Sequence, residues 1–174
     1  VTVKNLSKHF FVYKAQRTTF RMLKAFMQGK SLKNEWQVLK NITFSVKGGD
    51  KVALIGKNGA GKTTLLRIIA GIYAKTSGEL HVDGAICAMF NACVGLNEEL
   101  SALDNIYLFG AIHGINRDIL RDKVENILDV AELAPLKFSP LRDLSRGQRQ
   151  RLALSVVFHT KGDLFLFDEI FGWV

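Results

Sequence analysis

Gly56-Lys57-Asn58-Gly59-Ala60-Gly61-Lys62-Thr63-Thr64 is the stretch that decides the fold. It fits the spacing G-x-x-x-x-G-K-[S/T], which marks a loop that cradles phosphates. Before it, Lys51-Val52-Ala53-Leu54-Ile55 is a short apolar run that follows Gly48-Gly49-Asp50 and reads as a strand. After it, Leu65, Leu66, Ile68, Ile69 and Ile72 recur at helical spacing over residues 63–72, with Gly71 near the stop. Strand, loop and helix in that order are the context the motif demands. Gly59 and Gly61 let the backbone approach phosphate closely. Backbone N–H groups and the helix N-terminus then make an anion site. Lys62 is placed to reach the β- and γ-phosphates, and the Thr63 hydroxyl to bind Mg²⁺. The bland reading, a Gly-rich turn before an ordinary helix, is disfavoured because both flanks fit.

Asp163-Leu164-Phe165-Leu166-Phe167-Asp168-Glu169 ends a continuous apolar run in two carboxylates. Such a run reads as a parallel strand buried on both faces. Ligands of open α/β sheets collect at the carboxyl ends of their strands, so the acidic pair is expected beside the phosphates. Asp168 would hold Mg²⁺ through water, and Glu169 would act as general base on the attacking water. Taken alone, the run could equally be a hydrophobic strand capped by a solvated acidic pair.

Composition agrees with one α/β domain. The chain has 174 residues, 48% of them hydrophobic, which suffices for a core without disulfides or metal. Its two cysteines, Cys87 and Cys93, read as reduced core residues of a cytosolic protein. The longest apolar stretches fall short of the roughly 18 residues that span a bilayer, and no signal peptide is visible. Work at a membrane would therefore need spans from another polypeptide.

Charge is uneven. Residues 1–50 hold ten Lys or Arg against Glu35 and Asp50 alone, so they carry the whole formal net charge of +8. Within residues 13–36, Lys14, Arg17, Arg21, Lys24, Lys30 and Lys33 alternate with Phe20, Met22, Leu23, Phe26 and Met27. Phe20, Leu23 and Met27 share one face of a helix ringed by basic groups, which suits a membrane surface or a partner groove. The alternatives are a solvated charged face and a nucleic-acid contact. No motif that reads nucleic acid accompanies the charge.

Elsewhere, residues 2–5 and 38–46 read as strands, and residues 78–84 as a short strand closed by a turn. Residues 101–131 and 149–159 are helical in pattern, joined by a loop containing Pro135 and Pro140. His81, His113 and His159 read as helix-face histidines.

Leu144-Ser145-Arg146-Gly147-Gln148 resembles the LSGGQ element of ATP-binding-cassette (ABC) ATPases, and the order of motifs resembles that nucleotide-binding domain over essentially the whole chain. Three features resemble the bacterial subfamily that exports O-antigen, capsule and teichoic acid. They are the basic insert, the stretch Gly95-Leu96-Asn97-Glu98-Glu99-Leu100-Ser101 with Asp104-Asn105-Ile106, and the ending Asp168-Glu169-Ile170-Phe171-Gly172-Trp173-Val174. The resemblance implies a P-loop α/β fold. A RecA-like parallel core (51–96 and 160–174) would carry an N-terminal antiparallel β region (1–50, with an insert at about 13–36) and a helical subdomain (97–159).

It also implies site residues. Two copies would sandwich ATP between the loop of one, residues Gly56 to Thr64, and Ser145, Gly147 and Gln148 of the other. An aromatic stacks on adenine: Phe10 is in register, with Phe11 and Tyr13 as alternatives. A Gln that links Mg²⁺ to the membrane partner belongs near residues 91–92, where Asn91 could substitute. Arg146 departs from the usual glycine. The switch histidine and the subunit-contacting aspartate fall beyond Val174, which implies a chain lacking its C-terminal part and hydrolysing ATP poorly. The resemblance implies a peripheral subunit at the cytoplasmic face of the bacterial inner membrane. There a second ATPase copy and a separate polytopic permease would be its partners, with no nucleic acid expected. The alternatives are a soluble ABC ATPase acting on ribosomes or nucleic acid and a nucleotide-binding module with little hydrolysis.

Overall fold

The computed structural model describes residues 1–13, 33–168 and 170. The expected basic amphipathic helix thus falls mostly outside the described residues. The chain forms two compact units, Val1–Asp83 and Gly84–Val174.

The first unit is built on an antiparallel sheet of β1 (Thr2–Tyr13), β2 (Lys33–Ser45) and β3 (Ser77–His81), in the order β2-β1-β3. β1 pairs with β2 from Thr2↔Ser45 to Tyr13↔Lys33, with irregularities between Val3 and His9. Asn5 and Asn41 take left-handed backbone there, with φ of 49° and 48°, a conformation asparagine tolerates better than most residues. Side chains stitch the irregular stretch. The buried Ser7 hydroxyl donates to Asn41 Oδ1 (3.2 Å) and accepts from Asn41 N–H (3.0 Å), and Thr43 Oγ1 accepts from Asn5 N–H (2.8 Å). β1 therefore runs well past the expected end at residue 5. Helix α1 (Lys62–Ile69) buries Leu65, Ile68 and Ile69 and stops at Gly71, whose φ is 75°.

One expectation fails. Residues 51–55 form no strand, and Val52, Leu54 and Ile55 are exposed, Ile55 to 94%. A strand exists only through its hydrogen-bonded neighbour, and no described segment pairs with this run. His81 is also corrected, because it ends a strand rather than lying on a helix.

In the second unit, β4 (Ile86–Met89) and β5 (Leu164–Phe167) pair in parallel, Cys87 opposite Phe165 and Ala88 opposite Leu166. The expected helical stretch is two helices, α2 (Ala102–Ile112) and α3 (Arg117–Val130). Gly114, at φ 72°, ends the first, and Asn116 caps the second by accepting from Asp118 N–H. Helix α4 (Arg146–Val157) completes a core of Ile106, Phe109, Leu120, Ile127, Leu128, Leu152 and Val156. Gly110 allows the close approach of α2 and α3, since a Cβ there would lie 2.3 Å from Leu120 Cδ1. Cys87 is buried and free, as expected, and Cys93 is half-buried and free.

Burial holds the His113 imidazole below its usual pKa of 6.5, against the Phe109 ring at 4.6 Å between centroids. The unfolded chain therefore takes up this proton first as pH falls. Its contribution to stability is complete above about pH 6.5 and is lost as pH drops towards the folded value. We expect His113→Gln to flatten the decline of the thermal midpoint between about pH 7 and pH 5; an unchanged slope would contradict this assignment.

Candidate nucleotide-binding site

Helix α1 begins at Gly61, whose φ of 91° only glycine holds without strain, and no side chain caps it. A Cβ on Gly61 would meet Leu39 Cδ2 at 2.8 Å and Val38 Cγ1 at 3.2 Å, so the turn lies tight against β2. The amides of Lys62, Thr63 and Thr64 point out of the first helical turn, where no intrahelical acceptor exists. Lys62 Nζ donates to the carbonyls of Gly56 (2.8 Å) and Lys57 (3.0 Å), which draws Gly56, Lys57, Asn58, Gly59 and Ala60 into a ring around the helix start. Ala60 N–H closes a turn onto Lys57 C=O at 3.2 Å. Open amides, a helix N-terminus and a lysine are donors, the chemistry that a triphosphate requires. The Thr63 hydroxyl stands in that same turn.

Phe10 lies in β1 opposite Trp36 of β2. Its ring meets the edge of Tyr73 at 5.7 Å, and Lys8 Nζ stands 4.8 Å above it. Phe11, on the alternate face, is exposed, and the side chain of Tyr13 lies outside the described residues.

In the second unit, Ser145 caps α4 with a reciprocal box. Its hydroxyl accepts from Gln148 N–H (3.2 Å), and Gln148 Oε1 accepts from Ser145 N–H (2.8 Å). The hydroxyl proton of Ser145 remains available to donate. Gly147 is exposed, with open space where a Cβ would stand. The Gln148 carboxamide oxygen thus closes the cap, while its Nε2 carries two further N–H donors. Asp168 follows β5, half-buried, its N–H bonded to Met89 C=O at 3.2 Å. Asn91 Oδ1 accepts from Cys93 N–H at 3.1 Å, which occupies one of its two lone pairs. Glu169 lies outside the described residues.

Sequence reasoning assigned no role to the residues that brace this end of the unit. Arg149 pairs with Glu98 and donates to Leu144 C=O (3.0 Å) and Arg142 C=O (3.1 Å), while Arg142 pairs with Glu99. Asn105, fully buried, donates to the carbonyls of Asn97 (2.9 Å), Leu100 (3.1 Å) and Ser101 (2.9 Å) and accepts from Asn97 N–H (2.8 Å). The loop that supplies Glu98 and Glu99 is therefore held from inside the core. The available signal was a lone amide among the core positions Ala102, Ile106 and Phe109 of an amphipathic helix.

Comparison with known proteins shows the family. The ABC transporter family matches residues 39–172, and the chain belongs to that family. It is 33% identical to the O-antigen export system ATP-binding protein RfbB of Myxococcus xanthus, over 98% of this chain and 40% of that protein. It is likewise 33% identical to the O-antigen export system ATP-binding protein RfbE of Yersinia enterocolitica, over 97% of this chain and 74% of that one. The teichoic acids export ATP-binding protein TagH of Lactococcus lactis is 34% identical over 81% of this chain and 30% of its own length. Among solved structures, an ATP-binding subunit of an ABC transporter superposes with a TM-score of 0.69 at 25% identity, covering 98% of this chain and 66% of that one. An ATP-binding cassette dimer bound to ADP and Pi gives 0.70 at 23% identity, over 97% and 73%, and so shows the fold alone. The α/β cassette expected from the phosphate loop is thus the fold of this chain. No helix among the described residues is long and apolar enough to cross a membrane.

Proposed function

We propose that this chain is the ATP-binding and hydrolysing part of a bacterial exporter for a polysaccharide or lipid-linked glycan. The observation that supports the cargo is the identity to O-antigen and teichoic acid export proteins along most of the chain. The phosphate loop and the capped, open N-terminus of α4 support the chemistry. The loop amides from Gly56 to Thr64 and the Lys62 ammonium bind the triphosphate and orient its γ-phosphoryl group. Ser145 and the Gly147 N–H of a second copy close over that phosphate, with the α4 N-terminus adding partial positive charge. Thr63 and Asp168 are the residues that would hold Mg²⁺, which when bound neutralises charge on the phosphates. Glu169 takes the proton of the attacking water.

In this reading residues 51–96 and 160–174 are the nucleotide-binding core and 97–159 the helical part that reaches a separate membrane-spanning permease at the inner membrane. The test is purification of the tagged protein from mildly solubilised membranes of its own cells. A stoichiometric multi-span partner is the expected result; recovery only with ribosomes or nucleic acid would overturn the exporter reading. In the same complex, Glu169→Gln should lower turnover by at least about 100-fold while ATP stays bound between two copies. Normal turnover would assign the base elsewhere.

A further inference from the structure

A guanidinium lies at the start of α4, where helix electrostatics alone would not place one. The N-terminus of a helix carries partial positive charge and disfavours a nearby cation. Arg149 nevertheless stands at the fourth position of α4, and the first turn holds no acidic residue to offset it. Its partners explain the placement. All three nitrogens of the planar guanidinium carry N–H donors, and each reaches a different residue. Nε donates to Leu144 C=O at 3.0 Å, Nη2 donates to Arg142 C=O at 3.1 Å, and Nη1 pairs with the Glu98 carboxylate. The backbone N–H of Arg149 donates to Ser145 C=O at 3.0 Å. Arg149 therefore holds the carbonyls on both sides of Ser145.

Glu98 lies in a loop already joined to the segment before Ser145. Its carbonyl accepts from Arg142 N–H at 2.9 Å, and Leu100 C=O accepts from Leu141 N–H at 3.0 Å. Asn105 fixes the same loop from the core through Asn97 N–H and Leu100 C=O. The Glu98 carboxylate carries that anchorage to the helix start. The Arg149 side chain is only 21% exposed, so the pair is screened less than one between two solvated side chains.

We infer that Arg149 is a positioning residue for the ATPase reaction, and that Glu98 is the partner that fixes its guanidinium against the backbone around Ser145. This rests on the reading in which Ser145 and Gly147 close over ATP held by a second copy. Arg149 acts through those two residues: it sets where the Ser145 hydroxyl and the Gly147 N–H stand when the γ-phosphate arrives. A small misplacement of such donors weakens the closed pair while leaving ATP on the phosphate loop of a single copy.

Glu98→Gln and Arg149→Gln in the full-length protein separate this role from simple support. ATP affinity of a single copy, read by calorimetry, should stay within about twofold in both, because the phosphate loop is untouched. Pairing driven by a non-hydrolysable ATP analogue, read by light scattering, should weaken at least about tenfold in Arg149→Gln. Glu98→Gln keeps both carbonyl bonds and should weaken pairing about threefold. That sign is informative, since removing a negative charge would by itself favour the approach of ATP. The gap between wild type and Glu98→Gln should narrow as salt rises. The double variant should pair no worse than Arg149→Gln alone. An Arg149→Gln protein that melts lower yet pairs as wild type does would overturn the inference, as would undiminished pairing in Glu98→Gln. If Arg149→Gln does not fold, Glu98→Gln decides alone, since its carboxylate is 63% exposed and carries no core packing. A wild type that binds the analogue but never pairs would overturn the two-copy reading and this inference together.

Discussion

Lys62→Ala is expected to abolish measurable ATP binding. The ammonium sits at the mouth of the anion site, held only by the carbonyls of Gly56 and Lys57 at 2.8 and 3.0 Å. An arriving phosphate replaces these neutral acceptors with charged ones. Hydrogen bonds to charged groups contribute about 1.5–3 kcal/mol each. Two such bonds lost from a partly desolvated site amount to at least about 100-fold in affinity. The fold should tolerate the change, because Lys62 occupies the first turn of α1 while Leu65, Ile68 and Ile69 carry the burial. Calorimetry with ATP, paired with a thermal melt, reads both quantities. Binding within twofold of wild type would remove the phosphate-loop assignment. A collapse of the melt would instead mean that Lys62 closes the loop structurally.

Asn105→Ala should cost the second unit about 2–3 kcal/mol. The carboxamide makes four hydrogen bonds with no access to water. Alanine leaves the Asn97 N–H without its acceptor, while the carbonyls of Asn97, Leu100 and Ser101 lose one donor each and keep the backbone N–H groups of Leu100, Leu141 and Asn105. A drop of roughly 5–10 °C in the melting midpoint follows for a domain of this size. Asn105→Asp should be worse than alanine despite being nearly isosteric, because an acceptor-only carboxylate would face three carbonyl oxygens. If the aspartate variant were the more stable of the two, the assigned pattern of donors and acceptors around Asn105 would be wrong. Because the same loop carries Glu98 and Glu99 to Arg149 and Arg142, a variant that still folds should also lose ATP-driven pairing through the Ser145 helix.

Much of the fold was legible in local chemistry. The helix after the phosphate loop was legible because its apolar period, its glycine start and its glycine stop are all short-range signals. The helix after Ser145 was legible from Arg149 onward; its start at Arg146 under the Ser145–Gln148 cap emerged only with the structure. β5 was found because an unbroken apolar run of four residues suits a buried parallel strand. β4 was not, because Ile86-Cys87-Ala88-Met89 has neither alternation nor β-branched weight and becomes a strand only by lying beside β5. The run at residues 51–55 failed in the opposite sense: its composition suits a strand, and composition does not supply a neighbour. The split of residues 101–131 at Gly114 was written in the sequence but overridden by the strong apolar period on both sides.

The candidate site divides along the same line. The sequence by itself determined the phosphate loop, because the requirement for positive φ, open amides and one cation is met by contiguous residues. It likewise determined the acidic end of β5. Only the tertiary structure decided that Gln148 Oε1 closes the helix cap, that Asn91 Oδ1 accepts within its own turn, and that Asn105 holds the loop that pairs with Arg142 and Arg149. Only the strand register set Trp36 opposite Phe10. These are choices between partners distant in the chain, and a polar or aromatic side chain reveals its partner only once the backbone has brought the two together.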